Sequence, residues 1–197
     1  MRITTVTGST GYPIDLEDVK NHLRITVGET NQDDYLVGLI EVATARIEEM
    51  TNRALSRRTL KLYLDNWPES DSIELPYPPL STSVDAVLKY VDVDSSSVTV
   101  SSTAYKLDAV SEPGRLILDY NEDWPSAQLH NVNPISVQYL CGYPGSTSVP
   151  HQIKQAMKLI IADLYENRES IVIGYNQVTK IPDAVQSLVR NLRIFQA

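Results

Sequence analysis

The side chains able to do chemistry are few and scattered. His22, His130 and His151 fall in different predicted elements with no ligand spacing between them. A metal site needs three or four donors held together, and the one cysteine, Cys141, does not complete such a set. Cys141 ends an apolar alternating run and reads as a buried structural thiol, because a nucleophile would need a neighbouring base to form its thiolate. Gly8-Ser9-Thr10-Gly11 is glycine-rich but lacks the lysine of a phosphate loop and follows no clear strand, so it reads as a flexible N-terminal loop. No Gly-x-Ser-x-Gly elbow is present. Asp33-Asp34 and Glu48-Glu49 fall on predicted helices, where adjacent residues point apart and form no dyad. Glu122-Asp123 lies in a loop, and two acids there are thin grounds for a divalent-ion site. A sugar-binding cleft would want clustered aromatics, but Trp67-Pro68 and Trp124-Pro125 are far apart in the sequence and read as lids over a β core. No catalytic, metal or cofactor site is predicted, and the chain does not read as an enzyme.

Charge narrows the classes further. The 197 residues carry a net −8, which disfavours a protein that grips a nucleic-acid backbone through clustered Lys and Arg. The surplus is uneven. Residues 1–54 hold five basic and nine acidic side chains, residues 55–147 hold six and twelve, and residues 148–197 hold six and four. The eleven tyrosines are not interleaved with basic residues, so they suit a β core or a protein interface better than a nucleic-acid platform. No apolar run approaches the roughly 18 residues of a membrane span, and the N-terminus lacks the apolar run of a signal peptide. Folding in the cytoplasm where the chain is made is the expectation.

Periodicity places these residues on elements. Asp15 is a candidate cap for a short helix carrying Leu16, Val19 and Leu23 and ending near Arg24. Asn31 can cap a second, longer helix with Asp33 and Asp34 in its first turn. Leu36, Leu39, Ile40, Ala43, Ile47 and Met50 form its apolar stripe, and it runs to about Asn52, about 30 Å at about 1.5 Å per residue. After Leu55 the period changes to two. Thr59–Asp65, Ile73–Leu75, Val84–Val91, Val98–Val100, Tyr105–Asp108, Arg115–Tyr120 and Ile135–Cys141 read as short strands separated by turn residues. Ser148-Val149-Pro150 then opens a helix, with Ser148 as its cap and Pro150 in its first turn, that carries Ile153, Ala156, Met157, Ile160, Ile161 and Leu164 on one face. Pro182-Asp183 opens a last short helix with Val185, Leu188, Val189 and Leu192.

The predicted class is α+β, a helical bundle formed by N- and C-terminal helices with an inserted antiparallel β module. The expected divisions are 1–55 for the N-terminal helices, 56–147 for the β-rich insertion, and 148–197 for the C-terminal helices and a terminal segment. No internal repeat is visible.

Several segments, in this order, resemble the head–tail connector (adaptor) family of long-tailed double-stranded DNA phages and prophages. They are the helix from Pro13-Ile14-Asp15-Leu16 to Leu23-Arg24-Ile25 and the long helix from Asp33-Asp34-Tyr35-Leu36 to Asn52-Arg53-Ala54-Leu55. The proline-rich turn Leu75-Pro76-Tyr77-Pro78-Pro79-Leu80, the re-entry Gly142-Tyr143 with Val149-Pro150-His151-Gln152-Ile153, and the helix end Tyr165-Glu166-Asn167-Arg168-Glu169 complete the pattern. The resemblance implies a structural subunit that forms a ring below the portal, extends the DNA channel and offers a platform to stopper or tail-completion proteins. It implies a virion (neck) location, a copy number of about twelve set by the portal, and no membrane. It also implies contacts between neighbouring subunits, for which Leu36, Ile40, Ile47, Tyr165 and Arg168 are the candidates. Lys180, Ile181, Arg190, Leu192, Arg193, Ile194 and Phe195 form a candidate portal-docking segment, either loose until it docks or packed on its own subunit. Given the acidic balance, DNA would pass through the lumen without specific binding. The alternatives are a tail-completion or neck protein placed further down the particle, or a surface carbohydrate-binding module or small hydrolase.

Overall fold

Apolar stripes near both ends of the chain, separated by a run of short strands, organise the computed structural model, which describes residues 2–168 and 183–195. Its elements are β1 (Arg2–Thr10), α1 (Leu16–His22), α2 (Asp33–Thr51), β2 (Arg57–Leu64), β3 (Ser72–Leu75), β4 (Val87–Val91), β5 (Ser97–Thr99), β6 (Tyr105–Asp108), β7 (Gly114–Leu118), β8 (Ile135–Cys141), α3 (His151–Glu166) and α4 (Asp183–Val189). Single 3-10 turns occupy Ser146–Ser148 and Arg190–Leu192. The protein is α+β, as its periodicities predict. It divides into a helical unit, Gly11–Leu55 with Tyr143–Phe195, and a β unit built from residues 2–10 and 56–142.

In the helical unit, α2 buries Leu36, Leu39, Ile40, Ala43 and Ile47, the stripe read from the sequence. Ile153, Ala156, Met157, Ile160 and Ile161 of α3 and Val185 and Val189 of α4 complete the same core. Each buried Val, Leu, Ile or Met among them contributes about 1.5–3 kcal/mol. Of the expected caps, Asp15 alone stands at the N-cap position. Asp15 precedes α1 in extended backbone without a side-chain capping bond, and its carboxylate accepts the Ser146 hydroxyl instead, at 2.9 Å. Gln32, not Asn31, precedes α2, and Pro150 rather than Ser148 stands just before α3.

Lys20 is a departure from the usual exposure of lysine. It is 3% exposed. Its Nζ donates to the carbonyls of Glu29 at 2.6 Å and Val27 at 3.4 Å and pairs with Asp33 at 2.5 Å. A buried ammonium is tolerated only when paired and hydrogen-bonded, and these partners tie the α1–α2 loop to the start of α2.

The β unit has a five-stranded sheet in the order β1-β2-β8-β4-β5 and a three-stranded sheet in the order β3-β7-β6. All the pairings are antiparallel. Buried tyrosines connect the two sheets. The Tyr105 hydroxyl on β6 donates to the Ala86 carbonyl at 2.9 Å and accepts the Leu88 amide of β4 at 3.3 Å. The Tyr139 hydroxyl on β8 donates to the Pro76 carbonyl at 2.9 Å, next to β3, and burial pushes its pKa well above the ordinary phenol value. Cys141 is buried and outside any disulfide, and its thiol donates to the Arg58 carbonyl at 3.5 Å.

β1 corrects the reading of residues 8–11 as a flexible loop. Arg2–Thr10 pairs along β2 from Arg2 opposite Tyr63 to Thr10 opposite Arg57. An edge strand exposed over most of its length, rich in Thr and with few apolar residues, lacks the alternation that marks the buried strands. The helical segment therefore begins at Gly11 rather than at residue 1, and the β unit ends at Gly142 rather than at 147.

Gly142 has φ +93°, and a Cβ there would collide with the Ser56 carbonyl oxygen and come within 2.9 Å of the Arg57 Cα. Gly142→Ala should cost about 2–4 kcal/mol, combining backbone strain with steric overlap. Gly38, inside α2 with open space at its Cβ position, should show the opposite sign, a gain of about 1 kcal/mol in Gly38→Ala. Chemical denaturation of both variants checks the pair. At the β6–β7 hairpin, the Asp108 carboxylate accepts the Ser111 hydroxyl at 2.6 Å, the Ser111 and Val110 amides, and Arg115. These bonds, the Ser111 hydroxyl foremost, hold its pKa well below the ordinary carboxylate range. A depressed folded-state pKa stabilises above the ordinary carboxylate pKa, and the effect fades as pH falls toward the folded value. A carboxyl-carbon NMR titration should find Asp108 still ionised where ordinary aspartates have protonated, and Ser111→Ala should move its midpoint back up.

Candidate docking surfaces

Three surface clusters stand out. The first joins the start of α2 to the end of α3. The Arg168 guanidinium lies 4.8 Å from the ring centroids of both Tyr35 and Tyr165, and the rings themselves are 6.2 Å apart. Gln32 Oε1 accepts the Tyr165 hydroxyl at 2.9 Å and Arg168 Nη2 at 3.1 Å. The planar cation thus faces two π systems while one amide oxygen fixes its edge.

The second lies where α4 meets the C-terminal end of α2. Arg53 Nε donates to the Leu192 carbonyl at 2.6 Å, Asn52 Nδ2 to the Ile194 carbonyl at 2.8 Å, and the Ile194 amide to the Thr51 carbonyl at 2.8 Å. Ile194 is buried and Leu192 half-buried, whereas Phe195 is 77% exposed with the Arg193 guanidinium 5.5 Å from its ring. An open groove of about 870 Å³ runs beside this segment.

The third cluster lies in the β unit. Trp67 and Trp124 stack at 5.1 Å with 8° between their planes, and Tyr90 meets Trp67 edge-on at 6.1 Å. Trp124 Nε1 donates to the Ser70 carbonyl at 2.9 Å. Separation in sequence therefore misled about these indoles, which are neighbours. Both are half-buried, and the stack holds the segment carrying Trp124 against the segment after β2.

The predicted contact residues divide sharply. Leu36, Ile40 and Ile47 are fully buried in the core of their own unit. They have no surface left for a neighbouring subunit, a correction to their expected role; the apolar stripe of α2 is consumed by α3 and α4. Tyr165 and Arg168 do lie at the surface, in one cluster with Tyr35 and Gln32. Lys180 and Ile181 lie outside the described residues. Arg190, Arg193 and Phe195 are exposed, while Ile194 is an anchor for the segment. Gln32 and Tyr35 went unnoticed because nothing local links them to residues 165 and 168. Among the described residues no three His, Cys, Asp or Glu side chains gather in a metal-holding group, and no helix is long and apolar enough to cross a membrane.

The chain matches the model of the phage gp6-like head–tail connector protein family over residues 13–100 and 122–193. No curated protein matches it. Its fold is similar to that of a chain in the neck of an empty GTA particle computed with C6 symmetry, at 24% identity and TM-score 0.78, covering 100% of this chain and 97% of that one. A chain in the virion of a native gene transfer agent particle matches at 23% identity and TM-score 0.77, and one in the neck of the native particle computed with C12 symmetry at 22% and 0.77, each with the same coverage. At these identities the likeness establishes a shared fold.

Arg168→Ala should leave the fold intact and lower stability by about 1 kcal/mol, the scale of an exposed cation–π contact made twice. Arg168→Lys should recover only part of this, because an ammonium cannot stack. Urea denaturation of the two variants separates stacking from charge.

Proposed function

Because the chain belongs to the phage gp6-like head–tail connector family, we propose that this structural connector works as one subunit of a ring in the neck of a phage-like particle. The ring sits below the portal, continues the DNA channel and presents a platform to stopper or tail-completion proteins. The observation that carries this reading is the end-to-end match of the chain, 100% of its length at TM-score 0.78, to a neck chain of a particle computed with cyclic symmetry. Cyclic rings form through heterologous, head-to-tail contacts that close by rotation. Twelve copies would match a portal of that symmetry, and the C12 symmetry of a similar neck supports the number.

The exposed chemistry suits such a role. Arg190, Arg193 and Phe195 stand at the surface of a segment whose backbone is pinned to α2, so a docking feature is presented by a rigid support. That arrangement lowers the ordering cost on binding. Tyr165 and Arg168 supply an aromatic and cationic surface of the kind enriched in interfaces. With net charge −8 few phosphate contacts can form, and DNA slides through the lumen without being gripped.

Mass photometry of the purified protein, alone and with the portal ring of the same particle, tests the assignment. The expected result is a portal-bound ring of about twelve copies, whatever the state of the free protein. A chain that stays monomeric and ignores the portal would move it further down the neck or tail.

A further inference from the structure

We infer that the groove between the C-terminal end of α2 and the α4 segment is the receptor for an acidic peptide segment of the head-side partner, with Arg46 as a member of the site. This rests on the docking role assigned above and adds the chemistry of what docks. The groove, about 870 Å³, is lined from α2 by Arg46, Glu49 and Met50 and from the far side by Asp183, Arg190 and Arg193. Three arginines therefore line one concavity of a chain whose net charge is −8.

These cations are not spent internally. Among the described residues, Arg46 and Arg190 make no side-chain hydrogen bond or ion pair, although Glu49 and Asp183 line the same groove. Among the described residues, Arg193 makes no side-chain hydrogen bond or ion pair and lies over the Phe195 ring, which is itself exposed. By contrast, neighbouring Arg53 is committed to the Leu192 carbonyl. A guanidinium offers a planar fork of donors that fits a carboxylate bidentately, so three uncommitted forks favour a ligand bearing several carboxylates.

The rest of the groove argues for peptide over DNA. Met50 is half-buried and Val189 buried, and both line the groove, giving apolar surface for side chains of a partner segment. Glu49 and Asp183 would repel a phosphate backbone, whose binding draws on many cations acting together. In a peptide site, the same two acids set register by rejecting carboxylates at the wrong positions.

The test is binding of the full-length protein to the portal ring of the same particle, measured across a salt series. Arg46→Glu and Arg190→Glu should each weaken binding by at least about tenfold at low salt, with the gap narrowing as salt rises. Glu49→Lys should tighten binding. Lys89→Glu in β4, an exposed site of the same charge change, should bind as wild type, and circular dichroism confirms that all variants fold. If wild type binds the portal and the groove variants bind equally well, the groove proposal is wrong and the connector reading stands. If the variants instead lose retention of duplex DNA and keep portal binding, the groove is a phosphate site and the proposal is again overturned. A wild-type chain that ignores the portal overturns the docking role and this inference together.

Discussion

The apolar stripe of α2 is the constraint on which the helical unit depends. Leu36, Leu39, Ile40, Ala43 and Ile47 face one way along about three turns of helix, and a single amphipathic helix cannot hide such a stripe from water. Most of the cover comes from beyond residue 150, from α3 and α4. Closing that core joins residues 11–55 to the C-terminal helices in one unit, and β1 joins the intervening strands in a unit of their own. The same closure explains why the best-marked apolar residues of α2 do not face a neighbouring subunit. They are used up within the chain, and the exposed face of the unit is left with Arg, Tyr, Glu and Gln.

Polar groups inside the two units are handled by pairing. Lys20 is buried because two loop carbonyls and Asp33 replace its water, and in return the α1–α2 loop is held on the helix that carries the stripe. In the β unit, Tyr105 and Tyr139 extend their hydroxyls from one sheet to backbone acceptors at the other. Sheet-to-sheet packing is otherwise unspecific in register, and a hydroxyl that must find its carbonyl removes that freedom.

What remains at the surface is chemistry for recognition. An Arg held between two tyrosines, an exposed Phe beside an Arg, and three arginines around one groove are features of interfaces, where Arg and aromatic side chains carry much of the binding energy. They fit membership of a structural connector family. Rigid presentation matters for the proposed ring, because its subunits would meet neighbours in a repeated geometry and each immobilised side chain has an entropic cost.

Much of the fold was legible beforehand, and the exceptions share one cause. The helical stripes of α2 and α3, the alternation in β2 and β8, the structural role of Cys141 and the acidic balance are properties of neighbouring residues along the chain, and periodicity reads them directly. The cap assignments at Asn31 and Ser148 missed by one and two residues, and Asp15, although at the N-cap position, takes the Ser146 hydroxyl in place of a capping bond, because a local motif competes with tertiary partners. β1 escaped because an exposed edge strand of Thr, Ser and Gly has no apolar alternation to display. The stacking of Trp67 on Trp124, the clamp that brings Tyr165 and Arg168 to Tyr35, and the burial of Lys20 depend on pairings between residues from seven to more than a hundred positions apart. By itself the sequence determined which elements form and which of their faces avoid water, since those depend on local spacing. Only the tertiary structure decided which faces meet, and hence which residues remain exposed to bind a partner, since that depends on pairwise contacts that local spacing does not encode.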